Sequence, residues 1–86
     1  MIMRYDKLKY QRIRDLRTDM DISQSDLSKL LNIKQNTYSR YETNERNIPL
    51  DGISSLADFF STSVDYLMGR TDEKKPYPKA NKKIDS

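Results

Sequence analysis

Apolar residues recur along this chain at helical spacing, in short groups separated by polar turns. Ile13, Leu16 and Met20 stand three and four apart among many Lys and Arg, which predicts an amphipathic helix over about residues 6–20 with Asp6 as its N-cap. Leu27, Leu30 and Leu31 form the stripe of a second helix that starts at Gln24. Its start is well marked: Ser23 can accept from the amide of Asp26 while Asp26 reaches back, a capping box, and Ile22 and Leu27 form a hydrophobic staple around it. Asn32 follows at once and tolerates the left-handed conformation that ends a helix. Ile33 and Tyr38 repeat the staple around Lys34, so a third helix is expected from about Gln35 to Glu42 with Tyr38 and Tyr41 inward. After the polar loop TNERNIP, Pro49 sets up a fourth helix in which Ile53, Leu56, Ala57 and Phe60 fall at i, i+3, i+4 and i+7. Ser63 caps a short fifth through Tyr66, Leu67 and Met68, with Gly69 placed to end it. The expected fold is therefore all-α, with five helices.

The second and third helices are joined too tightly for anything but a fixed crossing, which holds the third outward. Its outward residues are Gln35, Asn36, Ser39 and Arg40. Gln and Asn amides can pair bidentately with adenine, and an Arg guanidinium with guanine, from a helix narrow enough for the major groove. Any one of these residues alone would read as a solvated face. Cap, staple, Asn turn and a second stapled helix in tandem point instead to base reading.

The segment resembles the helix-turn-helix of phage lambda Cro and cI type repressors, the XRE-like family of bacterial and phage regulators. The likeness reaches from about Tyr10 to Gly69, about two thirds of the chain. Arg14, Leu16 and Arg17 resemble the first-helix pattern, Gln24 the glutamine that opens helix two, and Tyr41 with Glu42 the end of the recognition helix. Pro49, Leu56, Ala57, Ser63, Asp65, Tyr66 and Leu67 match the closing two helices. The chain departs mildly from the pattern at Ser28 (usually Ala), and at Asn32 and Asn44 (usually Gly). Lys34 stands where the family prefers Ser or Thr as a cap, and Lys cannot accept an amide hydrogen bond. Either a DNA phosphate or guanine neutralises this cation, or the helix start tolerates it.

The resemblance implies a five-helix lambda-repressor-like DNA-binding domain over residues 1–69, with a basic tail at 70–86. Gln35, Asn36, Ser39 and Arg40 would then read base edges, and Ser23, Gln24, Lys34, Thr43, Asn44 and Arg46 would hold phosphates. Arg17, on or near the inward side of its helix, needs a carboxylate to offset desolvation, and Glu42 is the expected partner because this pair is common in the family. A small helix-turn-helix reaches only one half-site, so a homodimer on a palindromic operator is expected. Phe59, Val64 and Met68 are its candidate interface; a broad-sided core would explain Phe59 equally well.

Composition narrows the alternatives. With 86 residues and 35% hydrophobic content the chain allows one small domain, whose core leaves roughly 3 to 5 kcal/mol of net stability. The chain has no Cys and no His, which removes disulfides, thiolate zinc sites and imidazole bases. There is no Gly-rich phosphate loop and no sign of a cofactor or small-molecule ligand, so an enzyme is not expected. No apolar run approaches a membrane span and no signal segment is evident, so a cytoplasmic setting is expected. The net charge of +3 is unevenly spread: residues 1–20 and 70–86 each carry six bases and three acids, whereas residues 49–69 carry Asp51, Asp58 and Asp65 and no base. The last two helices should therefore face away from a phosphate backbone, although Asp51 and Asp65 also suit helix starts.

From Arg70 onward apolar periodicity is lost, and a solvated tail is expected unless Tyr77 and Ile84 dock. The leading expectation is a sequence-specific double-stranded DNA-binding regulator, a repressor. The alternative is a protein-interaction module such as an antitoxin or transcriptional bridging factor, disfavoured because interfaces present apolar anchors where this face has amides.

Overall fold

Side-chain caps start two of the helices, and backbone turns end all of those described. The computed structural model describes residues 9–78, and within them five helices and no strand form: α1 (Gln11–Asp19), α2 (Gln24–Leu31), α3 (Gln35–Glu42), α4 (Leu50–Phe59) and α5 (Val64–Leu67). Ser23 accepts from the Asp26 amide at 3.0 Å and Asp26 accepts from the Ser23 amide at 3.2 Å, the full capping box. Ser63 caps α5 by accepting from Tyr66 at 2.9 Å. Lys34 starts α3 with no side-chain cap, as its chemistry requires.

All five helices end in the same way. A residue at the C-cap or just after it takes positive φ in each: Asn32 is the C-cap of α2, while Asp21, Asn44, Ser61 and Gly69 follow the C-caps of the others. In each case its N–H and the next one bond back to the last turn, for example Asn32 N to Lys29 O at 3.1 Å and Ile33 N to Ser28 O at 2.9 Å. This double closure satisfies the orphan carbonyls and reverses the chain within two residues. Only one of the five positions is Gly, so four side chains sit in a conformation that L-residues disfavour.

The core gathers Ile13, Leu16, Leu27, Tyr38, Tyr41, Ile48, Ile53, Leu56, Ala57, Phe60 and Leu67, with Tyr10 closing one end. α3 packs on α2 and α1, α5 on α4 and α1. Tyr10 Oη accepts from the Ile48 amide at 3.0 Å and ties the loop before α4 to the start of α1. A Cβ on Gly52 would stand 3.1 Å from Ile48 Cγ2, so a larger residue there would press on the Ile48 side chain.

Three expectations need correction. The first helix starts at Gln11, with Tyr10 as its cap residue, rather than at position 6; the proposed cap Asp6 lies outside the described residues. Met20 is 51% exposed, because α1 ends at Asp19 and the Asp21 turn sends Ile22 onto the core instead. Leu30 is 43% exposed, and buried Ser28 takes the inward place, its hydroxyl donating to Ser25 O at 2.7 Å.

Residues 71–78 lie along the body. The Arg12 guanidinium stacks 4.2 Å over the Tyr66 ring, donates to Tyr66 O at 3.0 Å and to Thr71 O, and pairs with Asp72 at 2.6 Å. Thr62 donates to Lys74 O at 2.6 Å and Tyr77 to Asp65 at 2.7 Å. Of the two residues proposed to dock, Tyr77 does, and Ile84 lies outside the described residues.

The turns make a direct prediction. Asn32→Ala should lower the unfolding free energy by about 1 kcal/mol because Ala resists positive φ, while Asn32→Gly stays near wild type and Ser61→Gly gains stability. Urea denaturation at neutral pH measures all three.

Candidate nucleic-acid interface

Two faces of α3 carry opposite chemistry. Inward, Tyr38 and Tyr41 are buried and their rings meet edge to face at 6.1 Å and 81°. Outward, Gln35, Asn36 and Arg40 are exposed and Ser39 is half-buried, with Lys34 exposed at the helix start. Ser23, Thr43, Asn44 and Arg46 are exposed at the start of α2 and just after α3, and Gln24 is half-buried. The Thr43 hydroxyl donates to Arg40 O at 3.2 Å, so a phosphate would have to compete for that proton.

The position of this face is held from beneath by Glu42. Arg17 reaches from α1 and donates through Nε at 2.8 Å and Nη2 at 3.1 Å, one to each carboxylate oxygen. Gln24 on α2 donates its amide at 3.0 Å, and Tyr38, one turn back on α3, donates its hydroxyl at 2.6 Å. Arg17 also donates to Ile22 O at 3.0 Å, in the turn between α1 and α2. Only 4% of the Glu42 side chain and 16% of Arg17 are exposed. Among the described residues no buried side-chain polar atom lacks a partner.

This environment acts on titration. Burial pushes the Glu42 carboxyl up, but donation from Arg17, Tyr38 and Gln24 outweighs it and holds the carboxyl below its usual value of 4.5. Burial and then donation to Glu42 push the Tyr38 phenol well above 10.0. Hydrogen bonding to Glu42 raises Arg17 further. The Tyr38 and Gln24 arms were not anticipated as ligands of Glu42; the four-residue spacing of Tyr38 and Glu42 on one helix face was the available signal. Glu45, whose carboxylate lies 3.8 Å from Arg40 Nε, was also missed.

The remaining proposed site residues lie elsewhere. Phe59 on α4 is exposed and meets Phe60 edge to face at 5.1 Å, while Val64 and Met68 are half-buried against their own core. Among the described residues no group of acidic side chains could hold a metal, and no helix is long and apolar enough to cross a membrane.

A short capped helix, a tight αL turn and a second helix with a polar outer face define a helix-turn-helix unit. The Helix-turn-helix family model matches residues 13–67, and the chain belongs to that family. It is 36% identical over 73 residues to the uncharacterized HTH-type transcriptional regulator YobD of Bacillus subtilis, covering 85% of this chain and 63% of that protein. It is equally similar, 36% over 69 residues, to the HTH-type transcriptional regulator AnsR of the same organism, covering 80% and 60%. The cryptic phage CTXphi transcriptional repressor RstR of Vibrio cholerae is 28% identical over 61 residues, covering 71% and 55%. The chain thus spans less than two thirds of the length of these relatives. No solved structure matches it.

The Glu42 cluster sets the expected acid response. A carboxyl lowered by folding contributes stability above its unfolded value near 4.5, and that stability is lost as pH falls through the lower native value. Tyr38 contributes below about 10.0, and its share is lost as pH rises beyond that. Glu42→Gln should cost about 3 kcal/mol at pH 7, since it leaves Arg17 without its charge partner. The variant's stability should also fall less than wild type's between pH 4.5 and the acid range, as read by urea titrations across pH.

Proposed function

We propose that this protein is a sequence-specific double-stranded DNA-binding transcriptional regulator, a repressor, that acts as a homodimer on a palindromic operator. One observation carries the reading: α3 has a buried aromatic face locked through Glu42 and an outer face of amides and a guanidinium. Those groups match the major-groove edges of adenine and guanine, and the helix is narrow enough to enter that groove. The relatives' names support regulation, and that of RstR supports repression.

In this reading Gln35, Asn36, Ser39 and Arg40 read bases. Ser23, Gln24 and Lys34 hold the backbone on one side of the groove, and Thr43, Asn44 and Arg46 on the other. Gln24 has one amide proton on Glu42, which leaves the second for a phosphate. The acids at Asp51, Asp58 and Asp65 keep α4 and α5 away from the duplex. Phe59 gives the second copy an exposed aromatic anchor, with the half-buried Val64 and Met68 as the other candidate contacts.

Selection of bound fragments from random duplex, followed by footprinting at several salt concentrations, tests this directly. A palindromic motif with half-sites about one helical turn apart is expected; enrichment without any shared motif contradicts it. Arg40→Ala or Gln35→Ala should flatten base preference, whereas Arg46→Ala should weaken all duplexes and reduce the salt slope by about 1. Analytical ultracentrifugation at micromolar concentration should show a dimer, and monomer alone with and without DNA would remove the symmetric arrangement.

A further inference from the structure

A carboxylate in the middle of a phosphate-facing loop opposes binding, and Glu45 stands between Asn44 and Arg46, two of the proposed phosphate contacts. Its place is set by backbone rather than by its side chain. Asn44 has φ 67°, which turns the chain back over the end of α3. The amides of Glu45 and Arg46 then donate to Arg40 O at 2.9 and 3.2 Å. The turn that ends the helix thus delivers the Glu45 side chain to the side chain of Arg40.

The contact is asymmetric. Glu45 Oε1 lies 3.8 Å from Arg40 Nε, with 55% of Arg40 and 64% of Glu45 exposed. The distance is too long for a hydrogen bond, so the contact is a solvent-exposed charge pairing, weak enough to be exchanged. It engages the Nε edge, and among the described residues no ion pair or hydrogen bond of Arg40 uses the Nη1 and Nη2 end. That end carries parallel donors of the kind that meet guanine O6 and N7 together.

We propose that Glu45 is a specificity-determining positioning residue. Set beside Arg40 by the Asn44 turn, it balances the guanidinium's charge against indiscriminate phosphate contacts and biases its Nη end toward guanine. This rests on the DNA-reading function proposed above and adds to it a residue that selects against wrong duplexes. Without the carboxylate, Arg40 is free to bend to the nearest phosphate, which is the commonest target for a flexible guanidinium on DNA. With it, the cation favours the one partner that takes both Nη groups.

A double-mutant cycle separates this from simple repulsion between Glu45 and the backbone. Fluorescence anisotropy is measured for wild type, Glu45→Gln, Arg40→Ala and the double variant. The duplexes are the selected duplex, the same duplex with adenine at the guanine on which Arg40→Ala acts, and scrambled duplex at several salt concentrations. Glu45→Gln should tighten scrambled duplex about threefold and steepen the salt slope by about 1, while lowering the guanine preference about threefold. In the Arg40→Ala background the same change should leave base preference untouched. Equal tightening in both backgrounds with guanine preference intact would overturn the proposal, and so would a Glu45→Gln protein indistinguishable from wild type. Wild type that fails to prefer the selected duplex would overturn the DNA reading itself, whereas preference retained in full by Glu45→Gln overturns only the role of Glu45.

Discussion

One carboxylate, that of Glu42, fixes how three helices meet. It takes two bonds from Arg17 on α1, one from Gln24 on α2 and one from Tyr38 on its own helix. A charge this far from water is costly unless nearly all its lone pairs are used, so the cluster tolerates little deviation in helix angle. Such a pair adds little net stability compared with an apolar filling of the same shape. What it supplies is orientation: α3 cannot roll or slide without stranding a donor. The outer face of α3 is thereby held at a set angle to the rest of the body.

Around this anchor the helices are short, and the turns between them carry much of the architecture. The repeated left-handed closure lets α1, α2 and α3 stop abruptly and change direction within two or three residues. Arg12 plays a similar part on the other side, joining α1 to Tyr66, Thr71 and Asp72 at once. The stretch after α5 is thus tied to the body through Arg12, Thr62 and Asp65, and α4 and α5 carry Asp51, Asp58 and Asp65 with no base.

Features set by neighbours in sequence were the ones that could be read from it. The Ser23–Asp26 box, the positive φ at Asn32, Asn44 and Gly69, and the span of α2 and α3 follow from side chains within a turn of each other. Ser61 shares that backbone state although Ser rarely adopts it, and Asp21 shares it although Asp adopts it only occasionally, so neither marks a helix end as Gly does. Burial was harder where the outcome depends on a distant element. Leu30 and Met20 have the right spacing, but Ser28 and Ile22 face the core in their place. Docking of residues 71–78 rests on Arg12, Thr62 and Asp65, partners 12 to 60 residues away in the chain. At the proposed interface, residue types and the outward face of α3 were legible. The Tyr38 and Gln24 arms of the Glu42 cluster, and the approach of Glu45 to Arg40, depend on tertiary geometry and were not.

The proposed function requires that α3, held from beneath by Glu42, enter the major groove with its amides and guanidinium forward. Methylation protection at guanine N7 on the selected duplex measures this most directly, because N7 lies only in that groove. Bound protein should protect one or two guanines in each half-site, with the protection lost in Arg40→Ala. Unprotected N7 atoms across a site that the protein demonstrably occupies would contradict it.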